Sequence, residues 1–178
     1  LEAKKENCLD EILIIISALS VSDPRERPLD KAEQADQAHL QFHDSESGFI
    51  AFLKLWRRFQ KEVSKNQSKP FRLFCQKYFV SYNRMREWRE LHKQLTAIID
   101  EMNFNINKSE ANYDQVHRAL LSGHLSNIGC KEIDGPMYQG GRGVKFLIGP
   151  RLFRNKNFKW IMAAEIIDTG KKYAQCVA

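Results

Sequence analysis

Residue types that announce chemistry by themselves are scarce in this chain. Four of its 178 residues are cysteine, five are proline and nine are glycine. Cys8, Cys75, Cys130 and Cys176 lie far apart, with no CxxC pair and no histidine at ligand spacing, so they read as reduced, mostly buried thiols and not as metal ligands. Five histidines include one i,i+4 pair, His39 and His43, which lacks a third partner and reads as helix surface. The longest apolar run, Leu9 to Leu19, is interrupted by Ser17 and is far too short to span a bilayer. No small-residue cleavage site follows the N-terminal charges, so no secretory signal is expected and a cytoplasmic location is. The one glycine-rich loop, Gln139 to Lys145, lacks the GxxxxGK[ST] spacing of a phosphate cradle and reads as a hairpin turn. With no nucleophile triad, paired-carboxylate motif or metal cluster in view, an independent enzyme is the weakest reading.

What the chain does have is segregated charge. Residues 1–53 sum to −6, 54–94 to +9, 95–134 to −3 and 135–178 to +6, so the net +6 hides two basic zones. Between Lys54 and Gln94, twelve lysines and arginines face three acids and are interleaved with eight aromatic residues, Trp56 and Trp88 among them. Zones of one sign attract a polyanion through phosphate neutralisation and counterion release. A folded surface also carries such zones simply as solvated faces.

The first two thirds reads as helical. Asn7 is a candidate cap for a helix over Leu9 to Leu19 that is apolar nearly all round. Asp23-Pro24-Arg25-Glu26-Arg27-Pro28 breaks the pattern, because each proline disfavours helix in the residue before it. A polar helix is expected from about Asp30 to Phe42, and a new start at Asp44 to Ser47 precedes Phe49, Phe52, Trp56 and Phe59 at helical spacing. That aromatic stripe is assigned to the core. Lys65 to Lys69 is a polar break, and Pro70 suits the first turn of the next helix.

The helix expected from Ser81 to Met102 places Met85, Trp88, Leu91, Leu95, Ile98, Ile99 and Met102 on one broad face. Tyr82, Arg86, Arg89 and Lys93 line the opposite side, with His92 on the boundary, and are the candidate phosphate contacts. After a helix from Tyr113 to Leu121 the period changes from 3.6 to 2, with strands over Leu125 to Lys131, Val144 to Ile148, Trp160 to Ile167 and Tyr173 to Ala178. Arg142 and Lys145 put cations at the rim of this β part. The fold class is α+β, with a helical domain over residues 1–122 and a small β domain over 123–178.

The stretch Asn7 to Ser20, read with Asp23 to Pro28, closely resembles the helicase-associated region of bacterial HrpA-type DEAH-box ATP-dependent RNA helicases. Phe79 to Leu95 is similar to that family's ratchet segment, Leu120 to Gly123 to the junction into its OB-fold, and Lys159 to Glu165 with Thr169 and Tyr173 to the later OB strands. The resemblance implies a ratchet-like bundle followed by an OB-fold-like barrel. About four strands are legible against the five of a complete OB barrel, so the barrel is expected to be incomplete. It further implies single-stranded RNA as partner, at Tyr82, Arg86, Arg89, His92, Lys93, Arg142 and Lys145. RecA-like motor domains of the same parent chain would be the second partner, with ATP and Mg bound there, since these residues hold no Walker A loop and no Asp-Glu-Ala-His box. The alternative is a protein-interaction module, in which the cations serve salt bridges to the motor domains or a partner and little RNA is touched. His92 and Gly149-Pro150 depart from the Arg and the His-Pro of eukaryotic relatives.

Overall fold

The computed structural model describes residues 1–63, 68–149 and 158–178. Those residues hold seven α-helices, α1 (Glu2–Lys5), α2 (Leu9–Leu19), α3 (Ala32–His39), α4 (Gly48–Glu62), α5 (Ser68–Tyr78), α6 (Tyr82–Glu101) and α7 (Tyr113–Gly123). Five strands follow, β1 (Ile128–Lys131), β2 (Tyr138–Gly140), β3 (Lys145–Ile148), β4 (Trp160–Asp168) and β5 (Lys172–Val177). The α+β reading therefore holds, as a helical bundle and a small OB-like barrel.

Helix α2 is the centre of the bundle and is buried on nearly every side, Ile16 being its exposed exception. Asn7 does not cap it. Cys8 takes the cap position, while Asn7 adopts a left-handed backbone (φ 53°) that turns the chain from α1 into α2, a conformation asparagine tolerates better than most residues. Two polar residues are buried along with the apolar ones and must find partners there. Glu11, 1% exposed, receives Arg57 Nη2 of α4 at 3.0 Å, Asn107 Nδ2 at 2.9 Å and the Ala111 amide at 3.0 Å. Ser17 donates back to the Leu13 and Ile14 carbonyls and accepts from Trp88 Nε1 of α6 at 3.0 Å. These two residues tie α4, the 103–112 loop and α6 to one helix.

The proline-flanked connector is a second tie. Arg25 forks onto Asp23 (2.6 and 3.0 Å) and lies over the Phe52 ring, while its backbone forms a β-bridge with Val80. Amides Glu26 and Ser81 donate to the Phe79 and Pro24 carbonyls, each at 2.8 Å. The α5–α6 corner, where Phe79 is left-handed (φ 50°), is thereby clamped to the end of α2. Burial pushes the Asp23 carboxyl upward, but the Arg25 guanidinium outweighs it and holds the group below the usual carboxylate range.

Helix α4 starts where the sequence signals it, with Ser47 Oγ accepting from the Ile50 amide. The expected 30–42 helix divides into two 3₁₀ turns flanking α3. Of the polar break at Lys65 to Lys69, residues 65–67 lie outside the described residues, as does Pro150. The aromatic stripe is core: Phe49, Phe52, Trp56, Phe59, Phe71, Phe74, Tyr78 and Trp88 are each at most 5% exposed. The broad apolar face of α6 is only half used. Met85 and Trp88 are buried, but Ile98 and Met102 are 51% and 53% exposed because the helix outruns the bundle it packs on.

The barrel corrects the expected strand count. Its order, β1-β2-β3-β5-β4, closes on itself, with β3 and β5 parallel and every other pair antiparallel. The strand missed in the sequence is β2, three residues long and embedded in the glycine-rich stretch that reads as a turn. Leu125–Asn127, expected within the first strand, forms a 3₁₀ turn instead. Tyr138, Phe146, Ile161, Ala163, Ala174 and Val177 fill the interior. Gly129 and Gly140 give the Phe146 ring its place, since a Cβ at either would stand 2.5 and 2.9 Å from it. Met162 faces the other way and joins the helical core.

Replacing Glu11 with Ala should lower unfolding stability by about 3 kcal/mol, since it strips several donors of a charged acceptor at once. The loss should appear in urea melts, together with faster amide exchange over residues 103–112. Arg57→Ala should also be costly, because it leaves the buried Glu11 carboxylate with only the neutral Asn107 and Ala111 donors.

Candidate nucleic-acid interface

Five of the twelve cations in the basic block are committed to acids or carbonyls elsewhere in the molecule. Lys54 pairs with Asp44, Arg57 with Glu11 and Glu110, Arg58 and Lys77 with Glu62, and Arg84 donates to the Asp23 carbonyl. Arg86 and Lys93 are exposed and make no ion pair or hydrogen bond among the described residues. Arg89 pairs only with its exposed neighbour Glu90 at 3.2 Å, a contact of the kind that contributes little and exchanges readily. From Tyr82 to Lys93 the stripe runs about 16 Å along α6.

Beneath it lies a stack that holds two guanidinium groups in place. The Tyr82 ring packs on Phe71 of α5 at 4.6 Å; Arg72 lies over Tyr82 at 4.7 Å and Arg89 over Phe71 at 5.1 Å. Such cation–π contacts fix long side chains while leaving their N–H edges outward. Arg72 was not legible as part of this stripe, because it belongs to another helix and meets Tyr82 only through tertiary packing. Its one sequence signal is the run Lys69-Pro70-Phe71-Arg72, cations around an aromatic residue.

His92 is placed differently from its stripe neighbours. Its ring packs against Trp56 at 4.7 Å, its Nε2 is buried without a hydrogen-bond partner among the described residues, and burial pushes its pKa below the ordinary 6.5. It is a neutral ring at the core boundary and supplies no phosphate-gripping charge at neutral pH.

The barrel candidates lie on other elements than the α6 group, and no hydrogen bond or ion pair joins the two among the described residues. Arg142 sits exposed at the tip of the β2–β3 hairpin with a left-handed backbone (φ 57°). Lys145 begins β3 and pairs with Glu132 at 2.5 Å, so its charge is matched. Between bundle and barrel runs a cleft of about 1370 Å³ lined by Asp23, Arg25, His39, His124, Glu165 and Gln175, among others. Arg25 and Arg27 there are already paired with Asp23 and Asp36.

One pair has the spacing of nucleophile and base. Ser47 Oγ lies 2.7 Å from His117 Nε2, and His117 Nδ1 lies 2.6 Å from the Tyr113 carbonyl, which must accept. That fixes Nε2 as the acceptor and Ser47 as donor. Ser47 is wholly buried, so the pair locks the start of α4 to α7 and offers no surface to a substrate. Burial holds the His117 pKa below 6.5 as well.

Residues 1–125 match the family model described as helicase associated domain (HA2), ratchet-like. Across its whole length the chain is 44% identical to the ATP-dependent RNA helicase HrpA homolog of Haemophilus influenzae and 41% identical to the ATP-dependent RNA helicase HrpA of Escherichia coli. Over 96% of its length it is 25% identical to the pre-mRNA-splicing factor ATP-dependent RNA helicase prp22 of Schizosaccharomyces pombe. It spans 14% of the length of each of these relatives.

With both His92 and His117 depressed, protonation disfavours the folded state. Their stabilising contribution is complete above about pH 6.5 and is lost as pH falls below it. Melting temperature should drop between pH 7 and pH 5, and His92→Phe, which keeps the contact with Trp56, should make that drop smaller by a few degrees. Equal drops in both proteins would contradict this.

Proposed function

The chain belongs to the helicase-associated (HA2), ratchet-like family, and from that premise we propose that it is the accessory RNA-gripping region of an ATP-dependent DEAH-box RNA helicase. The observation that carries the proposal is the α6 face, where Arg86 and Lys93 are unpaired among the described residues while Arg72 and Arg89 are oriented by the Tyr82–Phe71 stack. Cations lined up along one helix face, two of them exposed and unpaired among the described residues, are arranged for phosphates that arrive from outside. Arg142 at the hairpin tip is a further contact on the barrel, and Lys145 contributes only when Glu132 releases it. Binding of this kind holds a single strand through its backbone, with little sequence preference. Hydrolysis would belong to RecA-like motor domains of the same parent chain, with ATP and Mg bound there. This region would act in the cytoplasm, positioning RNA against the motor.

A second reading has its own observation. Ile98 and Met102 extend an apolar flank of α6 beyond the bundle, and such a flank is suited to packing against another part of the parent protein. In that reading the segment is chiefly a protein-interaction module.

Affinity for single-stranded RNA should fall with salt at about −0.7 log units per log unit for each phosphate neutralised. Arg86, Arg89 and Lys93 changed together to Ala should flatten that slope by about 2, read by fluorescence anisotropy across a salt series. An unchanged slope would remove the α6 face from the interface, and no saturable binding even at low salt would favour the interaction module.

A further inference from the structure

On the other side of Tyr82 lies a groove of about 640 Å³ between the segment around Pro28 and the α5–α6 corner. Its lining includes Glu26, Asp30, Lys31, Gln34, Arg72, Gln76 and Tyr82. The volume is that of a small-molecule site. Its walls combine two kinds of group. One is a stacking surface: the Arg72 guanidinium lies over Tyr82 at 4.7 Å, and Phe71 supports the same ring at 4.6 Å. Leu29, between the lining residues Pro28 and Asp30, is 95% exposed at the lip, an uncommon placement for a large apolar side chain. The other is a polar edge. The carboxylates of Glu26 and Asp30 and the amides of Gln34 and Gln76 are all exposed, and none makes a side-chain hydrogen bond or ion pair among the described residues.

We propose that this groove takes one nucleobase of the bound strand and favours bases that carry an exocyclic amino group. The inference rests on the RNA reading above. Tyr82 belongs to both surfaces, and it marks the point where a base turns inward from a backbone held on the Arg86 and Lys93 side. Guanidinium planes and aromatic rings stack on any base. Selection comes from the edge. Cytosine and adenine present amino donors that Glu26 and Asp30 accept, whereas uracil presents a carbonyl oxygen at the same place and meets a carboxylate with no proton between them. The amides of Gln34 and Gln76 can donate to the ring acceptors beside the amino group.

The test is anisotropy titration of the chain with labelled short oligo(C) and oligo(U) single strands. The wild type should bind oligo(C) roughly tenfold more tightly than oligo(U). The double variant Glu26→Gln/Asp30→Asn should bring that ratio close to one, mainly by improving oligo(U), while Arg72→Ala should weaken both strands. Saturable binding of both strands with no preference, or a preference that the double variant leaves intact, would overturn the groove alone and leave the RNA reading standing. In that case the carboxylates are free for a different occupant, such as a lysine-bearing peptide. Failure of either RNA to bind saturably would overturn the RNA reading and the groove together.

Discussion

The position of the basic face depends on a requirement set by α2, a helix buried on nearly every side that nonetheless carries Glu11 and Ser17 inward. A buried carboxylate or hydroxyl without partners costs more than its packing returns, so the surrounding elements must supply donors and acceptors in fixed directions. For Glu11 these are Arg57, Asn107 and the Ala111 amide; for Ser17 the donor is the Trp88 indole. Apolar contacts alone would let α6 slide or rotate on α2 at modest cost. The indole bond from Trp88 to Ser17 and the Ile14 carbonyl sets both its rotation and its height. Arg86, Arg89 and Lys93, all within about a turn and a half of Trp88 and facing away from it, inherit that orientation.

Charge in this molecule separates into two populations once packing is considered. Lys54, Arg57 and Arg58 look in the sequence like part of a polyanion-binding block, yet each closes an internal pair. Their partners come largely from the acidic N-terminal segment and from Glu62, so the alternation of acidic and basic zones along the chain is partly a device for joining helices. Among the described residues, Arg86 and Lys93 on the far side of α6 escape this neutralisation, as do the exposed Lys61 and Lys69. The Arg72–Tyr82–Phe71–Arg89 stack spares the surface another cost, since guanidinium groups already held by rings lose less freedom when they meet a phosphate.

Much of this was legible in the residues because strong local signals agreed with tertiary demands. The helices around Phe49 to Phe59 and Met85 to Ile99 announced themselves by period, Ser47 by its capping position, and the helicase-associated identity by the resemblance of Asn7 to Pro28, with the ratchet segment in Phe79 to Leu95. Where the reading failed, the deciding information was not local. A three-residue strand such as β2 has too few positions to show alternation, and its membership in the barrel comes from pairing with β1 and β3. Asn7 looked like a cap and became a left-handed turn because the short α1 precedes α2. His92 carries the right spacing for the basic stripe, but proximity to Trp56 turns it inward. Arg72 needed the α5–α6 corner before its place beside Tyr82 had meaning.

Bundle and barrel are joined tightly enough that a displacement of one must be felt at the other. Gly48, the first residue of α4, lies so close to β5 that a Cβ there would stand 3.2 Å from the Cys176 backbone, and Cys176 itself is left-handed (φ 44°) to allow the approach. Met162 of β4 enters the helical core while exchanging both backbone hydrogen bonds with Ala178. The start of α4 is held in turn by Ser47 and His117 on α7. A barrel seated on the beginning of α4, whose middle pairs with Glu11 of α2, shares its frame with the helix that Trp88 fixes to the same α2. Relative motion of Arg142 and the α6 face would therefore require breaking packed contacts at α4. The two faces thus behave as one rigid surface, which is what the proposed reading asks of them.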